Sequence, residues 1–121
     1  MTFVKSTSQI TDTAITVSGL TGGSDAKVVR VNGSNTVTDA AWTDTASQLN
    51  AVLFKKDNVY YASGVVPGVG GLTAGAAYFI GEFGALTTNP PTPSSTVRVL
   101  FIGFGLNTSD LLFRPGIPIS G

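Results

Sequence analysis

The chain has 121 residues, seven Lys plus Arg against seven Asp plus Glu, and no Cys or His. Zero formal charge removes the basic field that nucleic-acid binding needs, and the missing residues exclude thiol nucleophiles, disulfides, thiolate zinc sites and any Ser-His-Asp triad. Charged residues are 12% of the chain and hydrophobic ones 42%, about half the usual charge of a soluble domain, so the protein is expected to hide surface against partners.

Residues 1–9 are polar and rich in Ser and Thr. They read as an extended arm, ordered only where a partner holds it, with Phe3 and Val4 as its sizeable apolar anchors. Ordering such an arm costs about 1–2 kcal/mol per residue, which pairing with a strand edge would recover. The opening residues lack a basic flank followed by an apolar run and do not read as a signal peptide.

Residues 10–121 read as a single β-domain. Ile10, Ala14, Ile15 and Val17 sit among threonines, a composition that favours strand. Residues 19–25 are a Gly-rich loop and residues 27–31 a strand. Asn32-Gly33 signals a two-residue hairpin turn, returning through residues 36–38. Residues 39–49 form the one helix-compatible stretch, good for one or two turns at most because its apolar residues hold no helical period. Residues 51–56 and 59–66 are strands joined at Asp57-Asn58, and Gly64 marks a bulge in the second.

Residues 72–75 turn, residues 77–80 form a strand, residues 81–84 turn again and residues 85–88 return. The prolines at 90, 91 and 93 make residues 89–93 an extended connector, since proline lacks the ladder donor. Residues 96–106 are the most apolar strand. Val97, Val99, Phe101 and Gly103 fall on one face and Arg98, Leu100, Ile102 and Phe104 on the other, so both sides ask for cover. Residues 107–110 turn into a strand at 111–114, after which the tail 115–121 leaves the sheet. Its Ile117 and Ile119, on a backbone stiffened by Pro115 and Pro118, suit packing against the same or a neighbouring subunit. The fold class is all-β, a small and mostly antiparallel barrel or sandwich with an extended N-terminal arm.

Residues 58–81 carry no charge and are long enough to span a bilayer, but six glycines and a proline interrupt them, so strands joined by a Gly loop are expected and no membrane partner. Gly68-Val69-Gly70-Gly71 has the glycines of a phosphate loop without the Lys-Ser or Lys-Thr that would complete it. Asp39 and Asp44 could pose as paired carboxylates, but turn and cap roles suit them better. Trp42, Tyr60-Tyr61 and Tyr78-Phe79 could form a sugar-stacking platform, with core or subunit interface the better reading. Asn32 and Asn107 open glycosylation-type triplets in predicted turns, and Lys55-Lys56 reads as a solvated strand end. No catalytic residue, metal ligand or cofactor site is assigned, and no enzyme activity is expected.

The second half carries a distinctive phrase: residues 71–79 (Gly-Leu-Thr-Ala-Gly-Ala-Ala-Tyr-Phe), residues 84–92 (Gly-Ala-Leu-Thr-Thr-Asn-Pro-Pro-Thr), then Val97 to Leu106 with Leu111-Leu112-Phe113. It resembles a C-terminal module of tailed-bacteriophage structural proteins, with Ala74 where the module has proline; the resembling stretch is residues 64–114. Such modules occur on head decoration proteins, head fibres and tail fibres. A chain of this length opening at Met1, without shaft or repeats, looks most like a decoration protein. The resemblance implies a virion protein, made in the host cytoplasm, that binds the major capsid protein on the outer face of the head and cements capsomers. The low charge and the apolar residues on both faces of strand 96–106 ask for a homo-oligomer, and the resemblance makes a trimer the expected number. The alternative is a receptor- or carbohydrate-binding module of a tail fibre or spike, using Trp42 and the tyrosine pairs. The partner-binding residues expected are Phe3, Val4, Ile117 and Ile119.

Overall fold

The computed structural model describes residues 13–121. The arm with Phe3 and Val4, and Ile10, lie outside the described residues. The strands in chain order are β1 (Ile15–Val17), β2 (Thr21–Gly22), β3 (Lys27–Gly33), β4 (Thr36–Asp39), β5 (Val52–Lys56), β6 (Val59–Val66), β7 (Ala77–Ile80), β8 (Leu86–Thr87), β9 (Arg98–Val99), β10 (Phe101–Gly105), β11 (Leu111–Phe113) and β12 (Ile119–Ser120). The fold is all-β. One bent sheet runs in the order β2-β4-β3-β5-β6-β11-β10-β7-β8, with β1 on β6, and β9 pairs with β12 apart from it. Among the described residues only the short β2–β4 pairing is parallel. The ladder does not close into a barrel; its two halves face each other as a sandwich.

β6 is the strand both halves share. Its start pairs with β5 and β1, and Gly64, Val65 and Val66 pair with β11. The extra residue in β6 is Ala62, because Ile15 pairs with Ser63 and Thr16 with Tyr61. The bulge is thus two residues before the expected Gly64. Gly64 has another reason to be glycine: at φ 98° it lies so close to the incoming chain that a Cβ there would sit 2.6 Å from Ala14 Cα.

The main core lies between the halves. Val28, Val52 and Phe54 come from the first half, and Val66, Tyr78, Ile80, Ile102, Leu111 and Phe113 from the second. The Phe54 and Phe113 rings meet across the middle with centroids 6.0 Å apart. A second cluster sits on the outer face of the first half, where Leu20 and Leu53 pack on Val29, Val37 and Tyr60. Residues 20–23 are held there by Gly22 O, which accepts from Tyr60 Oη at 2.8 Å and Lys55 Nζ at 3.0 Å.

A single glycine peptide joins the far ends of the sheet. Val28 N–H donates to Gly84 O at 2.9 Å, Gly84 N–H donates to Ala40 O, and Ala40 N–H donates to Val28 O at 2.9 Å. Gly84 therefore fills the gap where the chain after β4 peels away from β3. Beside it Trp42 N–H donates to Gly81 O, and Arg98 N–H to Trp42 O.

The turns test the sequence reading. Asp57 and Asn58 both take positive φ, 52° and 64°, as a two-residue hairpin turn matching the strand twist requires. The β3–β4 turn falls elsewhere than expected. Asn32 and Gly33 stay in β3, Gly33 pairs with Thr36, and the chain reverses at Ser34-Asn35 with Asn35 at φ 59°. Asn32 is held in the strand by accepting from Thr36 Oγ1 at 3.0 Å, while Asn35 supplies the left-handed residue. Residues 39–49 yield a single 3-10 turn, Gln48–Asn50, opened by reciprocal bonds between Thr45 and Gln48. The tail leaves the main sheet, as expected, and pairs in a separate two-stranded ladder, Ile119 with Val99 and Ser120 with Arg98.

Lys55 and Lys56 are engaged rather than merely solvated. Lys55 Nζ bonds the Gly22 and Gly23 carbonyls and lies over the Tyr60 ring. Lys56 Nζ is 2.9 Å from Asp57 Oδ1 and 3.8 Å from Asp25 Oδ2. Asp57 N–H donates to Asp25 Oδ1 at 2.7 Å. That backbone donor, helped by the Lys56 charge and opposed by desolvation, holds the Asp25 carboxyl below its ordinary range. The hydrogen bond to Asp57 holds the Lys56 ammonium above its own.

Two predictions follow from these contacts. A Cβ on residue 84 would lie 2.7 Å from Val28 O and 2.8 Å from Lys27 Cβ at φ 77°, so Gly84→Ala is expected to cost about 2–4 kcal/mol, lowering the melting midpoint by about 5–15 °C. Gly75→Ala has φ 79° but nothing within 4 Å, and is expected to cost only the strain, about 1 kcal/mol. Differential scanning calorimetry of both variants separates the clash from the strain. For pH, the lowered Asp25 pKa contributes stability that is present above the ordinary carboxylate range and lost as pH falls through the folded value. Urea midpoints are expected to drop below about pH 4, with a shallower drop in Asp25→Asn.

Candidate interaction surface

The two halves of the sheet differ in chemistry. Strands of the first half carry Lys27, Arg30, Asp39, Lys55 and Lys56, whereas no strand residue of β11, β10, β7, β8 or the end of β6 is charged. Alternation sends Tyr78, Ile80, Ile102, Leu111 and Phe113 inward and leaves Val65, Ala77, Phe79, Phe101, Phe104 and Leu112 outside the core clusters. Phe101 and Phe104 share the outer face because the register slips between Phe101 and Gly103. This corrects the expected facing, which set Phe104 with Leu100 and Ile102. A strict period of two cannot foresee a bulge.

The outer aromatics touch one another. Phe79 and Phe101 meet edge-on at 5.8 Å between centroids, and Phe101 and Phe104 at 5.0 Å. Phe104 remains 40% exposed. At the rim lies the tail. Gly116 N–H donates to Phe101 O and Gly121 N–H to Ser94 O, so its backbone returns to its own chain. The Ile117 and Ile119 side chains are 81% and 57% exposed. These two expected contact residues are thus presented outward on a pinned backbone. Phe83, unnoticed in the sequence, is 75% exposed at φ 54° on the turn that carries Gly84. Nothing in the Gly-Glu-Phe-Gly sequence distinguishes it from any turn aromatic.

The other candidates resolve into structural roles. Trp42 and Tyr61 pack against the main core, and Tyr60 and Tyr78 are buried. Tyr78 Oη accepts from Thr73 N–H at 2.8 Å. Trp42 and the three tyrosines therefore take the core role, the better reading for them, and do not form an exposed sugar platform. Asp44 Oδ2 accepts from Arg30 Nε at 2.9 Å and Ala41 N–H at 2.8 Å, and Asp39 accepts from Ser24 N–H and Oγ. Both carboxylates are turn and loop acceptors. The Gly68–Gly71 loop is held by Gly70 and Leu72 N–H donating to the Ser109 and Thr108 carbonyls. It lines an open recess of about 260 Å³ with Lys27, Tyr78 and Leu86. Among the described residues no group of three His, Cys, Asp or Glu could hold a metal ion, and no helix is long and apolar enough to cross a membrane.

No protein-family model matches the chain, and no curated protein or solved structure matches it.

Proposed function

We propose that the chain is a structural virion protein that decorates the outside of a phage head and cements neighbouring capsomers. The observation that carries this reading is the pinned tail with its two exposed isoleucines. A contact residue held on a fixed backbone loses little freedom on binding, so its apolar area converts efficiently into affinity. The phage-module resemblance of residues 64–114 and the low charge of the chain support the same reading. The fibre-tip alternative depends on stacking aromatics, and those pack in the core.

The proposal includes self-association as a trimer. Support comes from β1, which among the described residues pairs only with β6 and presents Ile15 and Val17, 58% and 39% exposed, on an edge strand. Such an edge is a template for a further strand.

Electron microscopy of particles decorated with the purified protein tests the reading. Density is expected on the outer face of the head. Ile117→Ser with Ile119→Ser is expected to weaken binding to undecorated capsids about 10- to 100-fold while leaving the fold intact. Density at a tail tip, or unchanged affinity of the double variant, would overturn it. Sedimentation at micromolar concentration is expected to give a trimer, and a stable monomer would sink that part.

A further inference from the structure

The turn between β7 and β8 presents its side chains on a fixed backbone. Gly81 N–H donates to Ala85 O at 2.8 Å, Ala85 N–H to Glu82 O at 3.1 Å and Trp42 N–H to Gly81 O at 3.1 Å. Gly84 is held at both its groups, by Ala40 O and Val28 N–H. On this support Phe83 stands 75% exposed at φ 54°. A bulky side chain in the left-handed region strains the backbone, and an exposed ring offsets little of that cost by packing. Glu82, the residue before it, is exposed as well.

A recess of about 260 Å³ opens beside the same turn. Ala85 and Leu86, the two residues after Gly84, line it. Lys27 lines it too, and its Cβ is 2.8 Å from where a Cβ on Gly84 would lie. The buried Leu72 and Tyr78 add apolar wall. Phe83 is not among the lining residues, so its ring does not fold back into the recess of its own chain.

The turn and the recess match in size, charge and position. A cavity of about 150 Å³ accepts a benzene ring, so the recess has room for the Phe83 side chain. Lys27 stands at the recess and Glu82 next to Phe83, and among the described residues neither is in an ion pair. Both features lie on one patch of one chain. Copies of the chain can therefore exchange them around a symmetry axis, each giving one turn and receiving one.

We propose that copies of this chain join by seating the Glu82-Phe83 turn of each in the recess of the next. The Phe83 ring then lies against Leu72 and Leu86, and the Glu82 carboxylate meets the Lys27 ammonium. The inference rests on the self-association proposed above and names its surface. A ring on a pinned turn loses little freedom on docking, and a buried aromatic anchor is the common centre of an interface.

Sedimentation equilibrium of the full chain over a concentration series tests the contact. Asn tolerates a left-handed backbone, so Phe83→Asn removes the ring without straining the turn; it is expected to weaken association about 10- to 100-fold. Glu82→Lys and Lys27→Glu are each expected to weaken it about tenfold by setting like charges together, and the double variant to restore it. Mixing the two single variants is expected to recover part of the association, because a reversed turn then meets a reversed recess on another chain. A contact inside one chain could not be recovered by mixing. Unchanged association in Phe83→Asn, or no recovery in the double variant, would overturn this contact and leave self-association standing. A pair of chains weakened by the same changes would keep the contact and remove the trimer. Monomers at every concentration would overturn both.

Discussion

The insertion of one peptide, that of Gly84, between Val28 and Ala40 is the contact on which the architecture depends. A bent sheet with two ends has two sets of unpaired backbone groups, and each must find partners or water. Here the chain after β4 separates from β3, which would leave Val28 N–H and Ala40 O facing a gap. The turn after β7 fills it from the opposite end of the ladder. Only a residue without Cβ can occupy that gap at φ 77° so near Val28 O and Lys27 Cβ. The neighbouring Phe83 is held at positive φ in the same turn, and its ring is left outside.

With the ends joined, the two halves enclose one apolar core, and their outer faces take separate roles. Within the main sheet the first half carries the strand charges, and its outer face is closed by a loop whose carbonyls take up the Lys55 ammonium and the Tyr60 hydroxyl. The second half is apolar on both sides. Two-sided apolar strands are the pattern of a sheet buried on both faces, so low overall charge in this chain is a property of one half and not of the whole surface.

Much of this order is legible in the residues. Runs of Val, Ile, Thr, Tyr and Phe between Gly, Asn, Asp and Pro mark most strands, and Asp57-Asn58 specifies its turn through two residues that tolerate left-handed backbone. What is not legible depends on contacts distant in sequence. Asn32-Gly33 is the stronger local turn signal, but the pairing of β3 with β4 and the Asn32–Thr36 bond draw both residues into the strand. The register slip that turns Phe104 outward arises where β10 pairs with β7. The tail strand β12 has no β-pattern of its own and exists because β9 offers an edge. For the candidate surface, Ile117 and Ile119 could be picked out as exposed apolar residues on a stiff backbone, while Phe79, Phe101 and Phe104 could be seen as apolar but not as neighbours.

The shared strand β6 also shapes the route to the fold. The β3–β4, β5–β6, β7–β8 and β10–β11 pairs are all near in sequence and can form as separate hairpins. Joining them requires β6 to meet β1 and β11, each more than forty residues away, and loop closure over such distances makes folding slow. The Gly84 seam, between residues 56 apart in sequence, can be made only after both halves are in place. A contact formed last is absent from the transition state and acts on the rate of opening. The seam is thus a latch: it sets how long the sandwich stays shut rather than how fast it assembles.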